Sequence, residues 1–124
     1  MFFFYSESMK NFADRKCVPC DGKITPLSPE QAQEYLKEVP GWTISPDRKK
    51  ISCHFDFHDF VEAIKFVNEV ARVAENEGHH PDIHIFYNKL DIDLWTHAIG
   101  GLSENDFIVA AKLNTLKQKT ILSL

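Results

Sequence analysis

The chain has 124 residues and a mass of 14.3 kDa, is 44% hydrophobic and 26% charged, and carries a formal net charge of -4. That size suits one domain with a real core, and the mild acidity argues against direct nucleic-acid binding, because the densest basic run is only Arg48-Lys49-Lys50. The apolar start, Met1-Phe2-Phe3-Phe4-Tyr5, is far shorter than a secretory core or a membrane span and has no basic segment before it, so neither a targeting signal nor a membrane role is read.

Residues 1 to about 27 show little periodicity and end in Lys23-Ile24-Thr25-Pro26-Leu27, which reads as a tail packed loosely or not at all. The expected organisation is an N-terminal extension over residues 1–24 and one folded domain over residues 25–124. Cys17, Cys20 and Cys53 make an odd count with no disulfide framework, which favours a reducing compartment: the cytoplasm by default, with the nucleus also compatible. Cys17-x-x-Cys20 is half of a zinc knuckle or of a redox motif. Zinc needs two more ligands, yet Cys53 and His54 are strand neighbours that point to opposite faces. A redox role needs a preceding strand and a following helix N-terminus, whereas Asp21-Gly22-Lys23 follow here. An inert or locally structural role is the reading for both tail cysteines.

Ser28-Pro29-Glu30-Gln31 opens a helix, with Ser28 as cap, Pro29 at the first helical position and Gln31 as capping-box partner, and Pro40-Gly41 ends it. Trp42–Ile44 and Lys50–Phe57 alternate with period two around the turn residues Ser45-Pro46-Asp47-Arg48, so they predict a hairpin. Asp59 with Glu62 starts a second helix whose apolar stripe is Phe60, Ala63, Ile64, Val67, Val70, Ala71 and Ala74, closed by Gly78. Ile83–Tyr87 and Leu90–Trp95 predict a second hairpin about Asn88-Lys89, with His97 on the face away from the core. A third helix begins at Ser103 and runs through Phe107, Ile108, Ala110, Ala111 and Leu113. The order α-β-β-α-β-β-α predicts an α+β fold, a four-stranded antiparallel sheet with three helices on one face.

The chemistry concentrates between Glu75 and Asp106. His79, His80 and His97 fall where the backbone changes type, and imidazole exchanges protons in both directions near neutrality. Pro81 pushes His80 toward an extended backbone, so the two adjacent imidazoles diverge and can line two walls of one pocket. Three surface loop histidines are the plain alternative. A zinc-like set of His80, His84 and His97 is another, weakened by the absence of His-Glu-x-x-His and of a carboxylate at ligand spacing. Asp106 closes a Ser103-x-x-Asp106 capping pattern that fixes the last helix without any chemistry, and it is able to serve both ends. Glu75 is most simply a solvated residue of the last helical turn, although standing four before His79 would let it orient an imidazole. Trp42 and Trp95 read as packing residues.

Glu75-x-x-x-His79-His80-Pro81, then Tyr87-Asn88-Lys89, then Leu94-x-Thr96-His97-x-x-x-Gly101-Leu102-Ser103-x-x-Asp106, resembles the signature of pterin-4a-carbinolamine dehydratases. Weaker similarity in Cys17-x-Pro19-Cys20, Leu27-Ser28-x-Glu30, Gly41-Trp42 and Asp106-Phe107-Ile108-x-Ala110-Ala111 extends it over roughly residues 17 to 115, with bacterial-type features. The resemblance implies a metal-free and cofactor-free dehydratase that removes water from a 4a-hydroxytetrahydropterin to give quinonoid dihydropterin, in tetrahydrobiopterin recycling. It implies catalytic His79, His80 and His97, supporting Asp106 and Glu75, and substrate binding by His80, Pro81 and Trp42. It also implies a homodimer or homotetramer, through edge strands and the last helix, for which Ile108, Leu116, Ile121 and Leu122 are compatible apolar positions. The rival is an interaction module, since animal members act as dimerisation cofactors of a homeodomain transcription factor; nothing in this sequence identifies such a partner.

Overall fold

The structure is a computed structural model that describes residues 11–19 and 24–122, the side chains of 121 and 122 excepted. Cys20 and the residues before Asn11 lie outside it. At Ser28 the capping box closes as the sequence predicts: Ser28 Oγ accepts from the Gln31 N–H at 3.1 Å and Gln31 Oε1 accepts from the Ser28 N–H at 3.0 Å. Helix α1 then runs from Pro29 to Leu36. It stops before Pro40 because the chain first tightens, Lys37, Glu38 and Val39 each donating to a carbonyl three residues back. Gly41, at φ 91°, makes the turn into the first strand.

Strands β1 (Thr43–Ile44) and β2 (Ile51–Asp56) pair antiparallel, Thr43 opposite Ser52 and Ile44 opposite Ile51. Asp47 Oδ1 organises their turn by accepting from Ser45 Oγ at 2.6 Å and from the Lys49 N–H at 3.1 Å. Helix α2 (Phe60–Glu77) is capped by Asp59, which accepts from the Glu62 N–H at 2.9 Å, and ends at Gly78 with φ 65°. Its buried face is Ala63, Phe66, Val70 and Ala74. This rotates the expected stripe: Phe60 and Ala71 are exposed, and Phe66 takes the core position against Phe55 and Phe57, with ring centroids 5.1 and 5.2 Å away.

Strands β3 (Asp82–Phe86) and β4 (Lys89–Leu94) pair in register Phe86 opposite Lys89, so their turn is Tyr87-Asn88, one residue earlier than the sequence suggests. Asn88 is drawn into that turn by a pair of bonds to Phe57, accepting from its N–H at 2.8 Å and donating from Nδ2 to its carbonyl at 2.9 Å. The sheet order is β1-β2-β4-β3, antiparallel throughout. Its two central strands point Ile51, Phe55, Leu90, Ile92 and Leu94 into the core, and the alternate residues Ser52, His54, Asp56, Asp91 and Asp93 line the open face. The fold is therefore the α+β arrangement expected, a four-stranded antiparallel sheet with three helices.

Helix α3 (Glu104–Leu122) departs from a simple amphipathic stripe, since every residue from 105 to 111 is buried. A helix apolar all round needs cover on all sides. The sheet and α2 supply part of it, and the N-terminal segment supplies more. A short 3-10 turn, Phe12–Asp14, sets Phe12 at 1% exposure against Tyr35 and Phe107, with ring centroids 5.2 and 6.0 Å away. Lys112 Nζ donates to the Ala13 carbonyl at 2.8 Å. Residues 11–19 are thus not the loose tail that their lack of periodicity suggested; a single large aromatic and a few polar ties anchor them, which periodicity does not register.

Truncating Phe12 removes a buried ring, so Phe12→Ala should lower the urea-unfolding free energy by about 3 kcal/mol. A change under about 0.5 kcal/mol would detach this segment from the core. On the open face, His54 Nδ1 lies 2.6 Å from Asp91 and Nε2 3.0 Å from Asp56, and these carboxylates raise the imidazole above the ordinary histidine value. A raised folded pKa stabilises below the unfolded value, near 6.5, and is lost as pH climbs through the folded one. His54 should therefore titrate above the unfolded value by NMR and drop toward it in Asp91→Asn; an identical titration in both proteins would contradict the pairing.

Candidate active site

The wholly buried polar residues among those described are Thr96, Ser103, Asn105 and Asp106, and they sit together where the chain leaves β4 and enters α3. Asp106 is 0% exposed, a position where a carboxylate survives only when its oxygens are occupied. Its Oδ2 accepts from Thr96 Oγ1 at 2.9 Å and from the Ser103 N–H at 2.9 Å. Oδ1 faces His79 Nε2 at 2.6 Å. The hydroxyl protons then follow in one direction. Thr96 spends its proton on Asp106, so Ser103 Oγ, 2.7 Å away, donates to Thr96 and itself accepts from the Asn105 N–H at 3.2 Å. As the third residue of α3, Asp106 also lies at the end of the helix dipole that favours negative charge.

His79 is delivered to this carboxylate by the end of α2. Gly78 turns left-handed, the His79 N–H bonds back to the Ala74 carbonyl at 3.2 Å, and the imidazole is left only 11% exposed. His80, one residue on, faces solvent at 61% exposure, with Nε2 2.6 Å from Glu75 Oε2. Glu75 thus meets His80, five residues ahead, rather than His79; the left-handed turn at Gly78 swings the next side chain back over the last helical turn. An exposed pair of this kind holds weakly.

His97 stands in a closed turn rather than at the end of a strand. The 3-10 turn His97–Ile99 is ended by Gly100 at φ 62°, and Thr96 and Gly101 bridge its two ends, the Thr96 N–H donating to the Gly101 carbonyl at 2.8 Å. A Cβ at Gly101 would come within 3.3 Å of Pro26, so the turn is pressed against the start of the domain. The imidazole of His97 stacks on Trp95, centroids 4.0 Å apart and planes tilted by 31°. Trp95 is held in turn by Nε1 donating to Asp82 Oδ2 at 3.2 Å.

These elements enclose a cleft of about 240 Å³ whose walls include His79, His80, His97, Trp95 and Thr96. The three sequence-predicted imidazoles are therefore brought together, on a shared opening that presents proton donors, acceptors and an indole face. Pro81 follows His80 without lining the cleft, and Trp42 is elsewhere altogether. It is 3% exposed, packs edge-on against Phe55 at 6.5 Å and donates from Nε1 to Asn114 Oδ1 at 3.0 Å. His84 lies on the open sheet face, 3.7 Å from Asp93, in a groove that also contains His54. The His80, His84 and His97 set is therefore not assembled, and among the described residues no group of three His, Cys, Asp or Glu side chains could hold a metal ion. Cleft residues outside the sequence-predicted site include Trp95, which reads in sequence as packing, and Val18 and Asn105, from opposite ends of the chain. Trp95 was within reach, since the alternation predicted for the strand puts it on the face of His97; Val18 had no local signal.

Comparison with known proteins identifies relatives of the chain. A family model described as pterin 4 alpha carbinolamine dehydratase matches residues 25–116. A protein of Halorhodospira halophila, named provisionally as a pterin-4-alpha-carbinolamine dehydratase, is 44% identical over 106 residues, 86% of this chain and 97% of its own. Pterin-4-alpha-carbinolamine dehydratase 2, mitochondrial, of Arabidopsis thaliana is 41% identical over 119 residues, 93% of this chain and 64% of its own. Among solved structures, a transcriptional coactivator/pterin dehydratase from Brucella melitensis superposes with a TM-score of 0.71 at 34% identity, over 74% of this chain and 98% of that one. With its buried carboxylate, its gathered histidines and these relatives, the chain belongs to the pterin-4a-carbinolamine dehydratase family.

Proposed function

We propose that the chain dehydrates a 4a-hydroxytetrahydropterin to quinonoid dihydropterin by histidine acid-base catalysis, in the recycling of tetrahydrobiopterin. The observation that carries this reading is the convergence of His79, His80 and His97 on one cleft, with a buried carboxylate behind the first of them. The C4a–O bond breaks as the N5 lone pair forms the C4a=N5 bond, the departing oxygen takes a proton, and N5 gives one up. Water and quinonoid dihydropterin are the products, so the step needs one acid and one base and neither a redox partner nor a cofactor.

With Asp106 accepting at Oδ1, His79 carries its proton on Nε2 and keeps its lone pair on Nδ1, the form of a base. His97 has the exposure and the rigid turn suited to exchanging a proton with the leaving oxygen, and the indole of Trp95 stacked on it holds the imidazole's orientation. His80, on a weak pair with Glu75, is suited to holding a polar edge of the pterin. In this division His79 and His97 transfer protons and His80 binds. It leaves Pro81 a backbone role and removes Trp42 from the binding set, where its burial and its bond to Asn114 leave it no access.

The assembly belongs to the proposal too. Strand β3 is an edge strand with Ile85 and Phe86 at 37% and 58% exposure, followed by Tyr87 of the turn at 67%, a surface suited to a second copy of the chain. Of the last-helix positions, Ile108 at 3% exposure is consumed by the chain's own core. Among the described residues no helix is long and apolar enough to cross a membrane, and Cys17 and Cys53 are free thiols, which supports a cytoplasmic setting. A second reading, an interaction module without essential catalysis, is favoured by the Brucella protein's description as both coactivator and dehydratase.

The two readings separate in one assay. Freshly generated 4a-hydroxytetrahydropterin, followed by ultraviolet absorbance, should disappear faster with the intact chain, and His97→Ala should lower kcat about 10² to 10⁴-fold. No acceleration by folded wild-type protein would leave binding as the present task.

A further inference from the structure

We infer that the segment Arg15–Val18 is a wall of the substrate cleft, with Val18 a residue that sets substrate affinity and Asn105 the residue that positions it. This deepens the pterin reading and rests on it. The segment lies outside residues 25–116, the span of the family match, yet Val18 lines the same cleft as His79, His80 and His97. Val18 is 58% exposed, and its backbone is tied down closely.

Asn105 grips Val18 at both polar atoms, accepting from its N–H through Oδ1 at 3.0 Å and donating from Nδ2 to its carbonyl at 2.6 Å. Asn105 is itself 3% exposed and directly precedes Asp106, so the strap and the carboxylate behind His79 share one rigid helix start. The Cys17 N–H donates to Glu77 Oε1 at 2.8 Å, and Lys16 Nζ donates to the Asn76 carbonyl, which fastens the strap to the end of α2 just before His79. Arg15 reaches Glu104 at 2.8 Å on the other side. The strap thereby joins the two elements that set His79, the C-terminus of α2 and the N-terminus of α3.

The thiol of Cys17 takes no part in chemistry here: burial and the Glu77 carboxylate push it up to about 12. What the strap offers the ligand is Val18, an apolar side chain without hydrogen-bonding capacity. Such a group packs against the ring carbons of a bicyclic pterin and excludes water from them. It favours ground and transition states alike, so its loss falls on KM rather than kcat.

The test compares wild type, Val18→Ala and Val18→Ile in steady-state dehydration of 4a-hydroxytetrahydropterin. It adds calorimetric binding of 7,8-dihydropterin, which has the bicyclic ring but no 4a-hydroxyl to lose. Val18→Ala should raise KM and the dihydropterin Kd together by about three- to tenfold, with kcat within about twofold, and Val18→Ile should restore both. Because Val18 is half exposed, the fold should be indifferent to either change, and matched Tm values would verify it. Unchanged KM and Kd in Val18→Ala, beside an active wild type, would overturn the strap as a wall and leave the dehydratase standing. A wild type that neither turns over nor binds would overturn the pterin reading and this inference with it.

Discussion

A fully buried carboxylate is the constraint around which this molecule is arranged. Sequestering a carboxylate without partners costs several kcal/mol, and Asp106 avoids that cost because three donors from three parts of the chain reach it: the Thr96 hydroxyl after β4, the Ser103 N–H before α3 and His79 after α2. Each donor can be in place only if its own element is. The closed turn of residues 96–101, the left-handed Gly78 and the start of α3 are thereby locked to one another. The same bonds that make the burial tolerable are those that orient an imidazole in the cleft, so stability and site geometry are not separable here.

The second organising feature is helix α3, which is wrapped rather than laid on a surface. Its run from Asn105 to Ala111 is buried without interruption, and the sheet, α2 and the N-terminal segment share the covering. That explains why Phe12, remote in sequence from every helix, is 1% exposed beside Phe107 and Tyr35. It also explains how Val18 comes to border the cleft, since the chain that covers α3 must pass its N-terminus.

Local chemistry was legible in the sequence and long-range covering was not. Ser28 with Gln31, Asp59 with Glu62, Gly78 and the Ser103–Asp106 pattern all signal within four residues, and each appears in the structure with its hydrogen bond or backbone angle. The dual use of Asp106 was legible for the same reason: a capping position has a second oxygen to offer. By contrast, the face of α2 was misjudged because Phe60 and Phe66 are equally apolar, and only the facing Phe55 and Phe57 decide between them. Trp42 packs in the core as its residue type suggests, but its partner Asn114, seventy-two positions away, had no sequence signal. Edge effects moved the β3–β4 turn by one residue, since Asn88 is claimed by Phe57 from a neighbouring strand end.

The central claim is that Asp106 holds His79 in one tautomer. Imidazole ¹⁵N chemical shifts of His79, in wild type and in Asp106→Asn, test it most directly at a pH where the ring is neutral. The account predicts a wild-type ring protonated only at Nε2 and a variant that populates both tautomers. A wild-type ring protonated at Nδ1, or a mixture unaffected by the substitution, would contradict it.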